Sequence, residues 1–167
     1  MSVKLFNSVI LNFTDNFYRF ALSILKDSET AKDAVQECLA KIWDKRQSLE
    51  SLDNPRAWAM KIVRNHCLDI IRSHRPLIDI ADSPSIAGGD TPDFDLLYQD
   101  QQRWFQETVE MLPVKQREIF HLREVEEMSY QEIADVLGLN MSEVKVSLHR
   151  ARTRVRSTLE KVEAYGT

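Results

Sequence analysis

Cysteine is scarce in this 167-residue chain: Cys38 and Cys67 are the only two, each alone within a helical pattern. Two cysteines without a CxxC spacing make neither a disulfide scaffold nor a zinc or redox motif, and both read as small core residues. Glycine is scarce too, with four in all, and none falls in the glycine-rich loop that cradles a nucleotide phosphate. Apolar residues never run long enough to span a membrane, and the N-terminus lacks the charged, apolar, then small order of a secretory signal. A cytoplasmic location without membrane insertion is expected. His66, His74, His121 and His149 are scattered, none is paired with a plausible nucleophile, and no group of side chains has metal-ligand spacing. These absences exclude the usual enzyme signatures, so no catalytic residue, cofactor or metal is expected. Strand-like alternation and internal repeats are missing as well. What remains is helical periodicity, and the fold class expected is all-α.

The formal net charge is −4, unevenly spread. Residues 1–75 carry 12 basic and 9 acidic side chains, residues 76–102 carry six aspartates and no base, and residues 103–167 carry 10 basic and 11 acidic ones. The stretch 76–95, PLIDIADSPSIAGGDTPDFD, also holds three of the five prolines and two of the four glycines. That composition, without a helical period, is a linker. Two small helical domains are expected, 1–75 and 97–165, joined by a flexible acidic linker over 76–96.

The most informative stretch runs from Ser129 to Arg156, SYQEIADVLGLNMSEVKVSLHRARTRVR. Ser129 with Glu132 three residues on makes a capping box, Ile133, Ala134 and Leu137 recur at helical spacing, and Gly138 supplies a left-handed stop. Asn140 caps a second helix with core positions Val144, Leu148, Ala151, Val155 and Leu159. Two short helices about a glycine turn are the helix-turn-helix, which sets its second helix into the DNA major groove. An ordinary helical hairpin would mix charges on its open face. Here Lys145, Arg150, Arg152, Arg154, Arg156 and Lys161 face a single acid, Glu160. The overall acidity nevertheless predicts weak unaided DNA binding, because affinity scales with the phosphates neutralised, and this points to a carrier partner.

The N-terminal domain reads as three long helices. The first runs from Val3 to Lys26. The second begins after Asp27 or Ser28 and aligns Ala31, Ala34, Val35, Cys38, Leu39 and Ile42, with Trp43 beside them. The third starts with Asn54 as cap and Pro55 in its first position. Trp43 and Trp58 lie on apolar stripes and are expected in the core. On the third helix Lys61, Arg64, Asn65, Leu68, Arg72 and Arg75 share one face, opposite Ala59, Val63, Cys67 and Ile70. A basic stripe without an intervening acid suits phosphate contact better than a merely solvated face.

Two helical domains of this kind resemble a bacterial sigma factor of the small extracytoplasmic-function subfamily. The resemblance rests on DSETAKDAVQECLAKIW followed by NPRAWAMKIVRNHCLDIIRSHR, then on LPVKQREIFHLREVEEMSYQEIADVLGLNMSEVKVSLHRAR, and covers nearly the whole chain. It implies an alternative sigma factor that binds core RNA polymerase and directs it to specific promoters. Its partners would be core RNA polymerase, promoter DNA and an anti-sigma factor. By the resemblance the first domain is sigma region 2. It would dock on the polymerase clamp through Asp33, Gln36 and Glu37, and grip and melt the minus-ten element with the loop from Lys45 to Asp53 and with Lys61, Arg64, Asn65, Leu68, Arg72 and Arg75. The second domain is sigma region 4. It would read the minus-thirty-five element with Ser142, Glu143, Lys145, Val146, Ser147, Arg150 and Arg154, base edges at the start of the helix and phosphates at its arginine-rich end.

The chain departs from that family's pattern at two of the positions assigned to the minus-thirty-five element, Ser147, where many members carry arginine, and Val146, where many carry a small polar residue. Val146 is expected to be exposed, suited to packing on a thymine methyl, and Glu143 to accept from a cytosine amino group. A free-standing helix-turn-helix regulator is the alternative, but it calls for a phosphoacceptor or ligand-sensing domain, and residues 1–75 show neither. A helical adaptor that binds only protein fits poorly with the basic second helix.

Overall fold

A computed structural model describes the backbone of residues 1–78 and 96–165 and the side chains of 1–73, 102–161 and 163. Of the stretch read as a linker, residues 79–95 lie outside the described residues, as does the side chain of Arg75. The first expected helix is broken. Helix α1 (Ser2–Leu5) passes into a wide π-type turn over Phe6–Ile10 and a tight 3-10 turn over Leu11–Phe13 before α2 (Thr14–Leu25) begins. Asn12 Nδ2 donates to the Ser8 carbonyl at 2.7 Å and Thr14 Oγ1 to that of Leu11 at 2.8 Å, side-chain bonds that compete with the regular ladder. Phe6 and Ile10 still reach the core beside Phe17, Phe20 and Ile24.

Helix α3 (Ser28–Asp44) starts at Asp27, which accepts from the Thr30 hydroxyl and, at 2.9 Å, from its backbone N–H. Those bonds hold the Asp27 carboxyl below its ordinary range. The segment read as a loop from Lys45 to Asp53 forms a 3-10 turn over Arg46–Ser51, with Leu49 buried and most of its polar residues exposed. Helix α4 (Pro55–Ile78) begins as expected, the Asn54 Oδ1 accepting from the Ala57 N–H at 3.0 Å. Cys38 and Cys67 are free and buried, and burial pushes their thiols up to about 11 and about 12, the unreactive condition of core cysteines. Trp43 corrects the expectation of a core indole. It is 37% exposed, edge-on to Phe6 with centroids 5.0 Å apart, and the Arg46 guanidinium sits 4.3 Å over its ring. Trp58 is half-buried against the core.

The C-terminal half comprises α5 (Leu96–Glu110), α6 (Val114–Phe120), a π-type turn over His121–Val125, α7 (Tyr130–Leu137) and α8 (Met141–Tyr165). The capping box at Ser129 is present in both directions, and Gly138 holds φ at 67°, where a side chain would be strained. Ala151 and Val155 of α8 close a small cluster with Leu112 and Phe120. Among the described residues there is no strand.

The halves pack against each other, α4 lying on α7 and α2 touching the turn at His121–Val125. Ile119, Leu122, Met128, Ile133, Val144 and Leu148 belong to the same continuous cluster as the N-terminal core. Each such side chain contributes about 1.5–3 kcal/mol by leaving water, so the joint between the halves has a substantial apolar component.

Candidate nucleic-acid interface and its acidic counterpart

Helix α8 presents the face that the sequence assigns to DNA. Val144, Leu148, Ala151 and Val155 are buried beneath it, and Ser142, Glu143, Lys145, Val146, Arg150 and Arg154 are exposed. Val146 is 48% exposed, as expected. Ser147 is not outward. It is 8% exposed, on the flank of the packing stripe where α6 meets α8, in a cleft lined by Lys115, Asn140, Glu143, Val146 and Arg150. Asn140 and Glu143 cap each other, the Glu143 N–H donating to Asn140 Oδ1 at 2.8 Å and Asn140 Nδ2 to Glu143 Oε1 at 3.1 Å. Arg152 is committed elsewhere: its Nε donates to Glu124 Oε1 at 2.6 Å, a bond that raises the guanidinium's pKa further.

The basic stripe on α4 has a different setting. Lys61, Asn65 and Arg72 are exposed, Arg64 and Leu68 half-buried. Asp69 borders the stripe, 3.7 Å from Arg72. Arg64 Nε donates to Glu118 Oε2 of α6 at 2.9 Å, and Leu68 lines a cleft with Val114, Lys115, Leu137 and Leu139. The stripe is therefore partly covered by the other half of the molecule.

Glu126 is the centre of a second set of contacts between the halves. Its side chain is fully buried, aimed by the turn at Glu127, where φ is 55°. Asn16 Nδ2 donates to its Oε2 at 2.5 Å, Arg19 Nε lies 3.4 Å from Oε1, and His121 Nε2 lies 3.1 Å from the same oxygen. Arg56 Nη2 donates to the Glu126 carbonyl at 2.9 Å and sits 3.9 Å from Oε2, with its guanidinium 4.6 Å over the Phe13 ring. The imidazole of His121 packs on Phe20, centroids 5.5 Å apart. Burial opposes the charge on Glu126, yet the bonds from His121 and Asn16 and the charges of His121 and Arg19 outweigh it and hold the carboxyl below its ordinary range. Glu132 serves two helix starts. Its Oε1 accepts from the Ser129 N–H and its Oε2 from Asn54 Nδ2, both at 3.0 Å, and Asn54 itself caps α4. Burial again opposes the charge, but the Ser129 and Asn54 bonds, with Arg56 nearby, depress its pKa.

Asp33, Gln36 and Glu37 are exposed together on α3. Glu37 Oε2 lies 2.7 Å from His66 Nε2, and Lys41 Nζ lies 3.2 Å from His66 Nδ1, which ties this patch to α4. The sequence does not reveal Asn16, Arg19, Asn54, Arg56, Glu118, Glu126 and His121 as a set. Their contacts join residues far apart in the chain, and no local pattern marks them. Among the described residues no cluster of His, Cys, Asp and Glu is placed to hold a metal ion, and no helix is long and apolar enough to cross a membrane.

Comparison with known proteins matches residues 12–76 to "Sigma-70 region 2" and residues 102–155 to "Sigma-70, region 4". The chain is similar to the RNA polymerase sigma factor SigV of Bacillus subtilis (29% identity, covering 91% of this chain and 89% of that one). It is likewise similar to the ECF RNA polymerase sigma factor SigM of the same organism (25% identity, 87% and 89%). Among solved structures, the sigma factor RpoE in complex with the anti-sigma factor NepR from Bartonella quintana superimposes with a TM-score of 0.76 at 28% identity, covering 93% of this chain and 96% of that one.

Proposed function

This chain belongs to the sigma-70 family as an extracytoplasmic-function sigma factor, binding core RNA polymerase and directing it to promoters for transcription initiation, and we propose how its surfaces divide that work. Residues 1–75 act as region 2. Asp33, Gln36 and Glu37 dock on the polymerase clamp, where short acids beside an amide suit basic residues of a partner helix. Lys61, Arg64, Asn65, Leu68, Arg72 and Arg75 hold the opened minus-ten element, basic groups tracking a displaced strand. Residues 97–165 act as region 4, with Ser142, Glu143, Lys145, Val146, Arg150 and Arg154 on the minus-thirty-five element and Ser147 at the base of that face. The linker expected over 76–96 narrows to residues 79–95, because 76–78 end α4 and Leu96 begins α5. The protein works in the cytoplasm as a specificity subunit without a catalytic role, and an anti-sigma factor restrains it.

The observation that carries this reading is the order of the two matches: a region 2 ending in a basic helix, then a region 4 ending in an exposed recognition helix. The test is co-elution of the purified chain with core RNA polymerase lacking sigma, with Asp33→Lys alongside. Co-elution weakened by the charge reversal is expected. No co-elution from folded protein would favour a free-standing DNA-binding regulator.

A further inference from the structure

We infer that Asn16, Arg19, Asn54, Arg56 and Arg64 form one face of region 2 that binds a nucleic-acid backbone, and that Glu118, Glu126 and Glu132 of region 4 occupy this face in the free chain in place of phosphates. The inference rests on the sigma-factor reading and extends it to residues outside the α4 stripe.

The first argument is sidedness. Asn16, Arg19 and Arg56 meet Glu126, Asn54 meets Glu132, and Arg64 meets Glu118. In each contact the N-terminal half donates and a glutamate of the C-terminal half accepts. A joint evolved only to hold two domains together has no reason to place all its donors on one side and all its acids on the other. A surface built for a polyanion has that reason.

The second argument is chemical. Three guanidinium forks and two carboxamide N–H groups are the donors that recognise phosphate oxygens. Each of the three arginines takes its carboxylate from the other half. Glu126, through His121 of its own half and then Asn16 and Arg19, and Glu132, through Ser129 of its own half and then Asn54 and Arg56, are held below their ordinary pKa range, so they stay charged at neutral pH, as phosphates do. The fit is incomplete: Arg56 Nε and Glu118 Oε1 are buried without a hydrogen-bond partner in the protein. A carboxylate has fewer acceptor oxygens than a phosphodiester strand can bring to the same donors.

The third argument is continuity. Arg64 belongs both to this face and to the α4 stripe with Lys61 and Asn65. The face therefore extends that stripe past the start of α4 and onto α2.

The test compares acid-side and base-side substitutions in the full chain, using a labelled oligothymidylate and a salt series. The Glu118→Gln, Glu126→Gln, Glu132→Gln chain should be more extended in small-angle scattering and bind about tenfold tighter than the native chain, as charges that shield the cations are removed. Adding Arg19→Gln and Arg56→Gln should weaken binding and reduce the slope of log affinity against log salt by about 1.4, at about 0.7 per lost single-strand phosphate contact. Arg19→Lys with Arg56→Lys should restore the slope. If the arginines only latch the domains, Arg19→Gln and Arg56→Gln in the native chain would open it and tighten binding, as the acid-side changes do, and the inference fails. It also fails if the acid-side chain neither opens nor binds tighter, or if the slope ignores the arginines. A further measurement uses the assembled holoenzyme on DNA, where Arg19→Gln and Arg56→Gln should lower the same slope while binding of core polymerase without DNA is unchanged. Loss of DNA-free polymerase binding instead would assign the face to protein and overturn the inference. Failure of the native chain to bind core polymerase would refute the sigma-factor reading while leaving the oligothymidylate result to be judged separately.

Discussion

Helices α4 and α8 carry the same signature in sequence, a basic stripe opposite an apolar one, but they differ in the folded chain. On α8 the residues assigned to DNA are exposed apart from Ser147, and the acid that reaches the helix from outside, Glu124, takes Arg152. On α4, Arg64 is held by Glu118, while Arg56 and Asn54 at its start are held by Glu126 and Glu132. Charge on a helix thus specifies what it attracts, and the rest of the chain decides whether that partner is already present. The acids outnumber the bases in residues 103–167, and part of that excess faces the other half of the molecule.

The contrast is broken most severely from beneath the open helix. Leu148 is 1% exposed and supports the recognition face. Leu148→Ala should cost about 2–5 kcal/mol, the usual range for a leucine cavity, read as a lower urea midpoint. A smaller loss would mean that the α7–α8 unit repacks around the gap. The covered side should respond to Glu126→Ala, which leaves Asn16, Arg19 and His121 without their shared acceptor and removes the carboxylate beside Arg56. Its expected cost is about 1–3 kcal/mol, with faster amide exchange in α7 and little change along the solvent face of α8. Exchange that rises uniformly through both helices would show that the halves unfold as one unit.

What is legible in the sequence divides along the same line. The Ser129–Glu132 capping box, the Gly138 stop, and the Asn54 and Asn140 caps all depend on neighbours within a few residues, and each is in place. The break between α1 and α2 is also local, but it turns on side-chain-to-backbone bonds from Asn12 and Thr14 that compete closely with a regular helix. Ser147 departs from its expected exposure because it borders the packing stripe where α6 meets α8, a neighbour that the helical period of α8 alone does not show. Trp43 departs from its expected burial because an apolar stripe indicates a direction and leaves depth undetermined. The covering of Arg64 and Arg56 is illegible for a stronger reason. Their partners lie in the other half of the chain: Glu118 and Glu126 look in sequence like ordinary solvated acids, and Glu132 shows only its part in the Ser129 capping box.

Acid offers a reversible way to sharpen the comparison. The folded pKa values of Glu126 and Glu132 lie below their ordinary 4.5, so the folded state binds fewer protons than the unfolded one near that pH. The stability they contribute is present above about 4.5 and is lost as pH falls through the depressed values, a tenfold change in proton affinity on folding being worth at most about 1.4 kcal/mol. Scattering from pH 7 downward should therefore show the halves loosening below the ordinary carboxylate range. In a chain with Glu126→Gln and Glu132→Gln, that pH-dependent step should shrink. An unchanged step would assign it to other carboxylates, such as Asp27 at the start of α3.

The smallest thermodynamic effect is expected at Val146, where the open face is most specific. Its side chain is 48% exposed and lies outside both buried clusters, so Val146→Ser should change stability by no more than about 0.5 kcal/mol. Specificity is a separate quantity. A valine on a groove-facing helix can cover a thymine methyl, and a serine replaces that apolar contact with a hydroxyl that either strand can satisfy. Polymerase binding should be unchanged, while activity at the native promoter falls and a substituted base pair at the contacted position is tolerated better. If promoter preference is the same for valine and serine, Val146 does not read a base. The recognition would then rest on Glu143 at the helix start and on the phosphate contacts of Arg150 and Arg154.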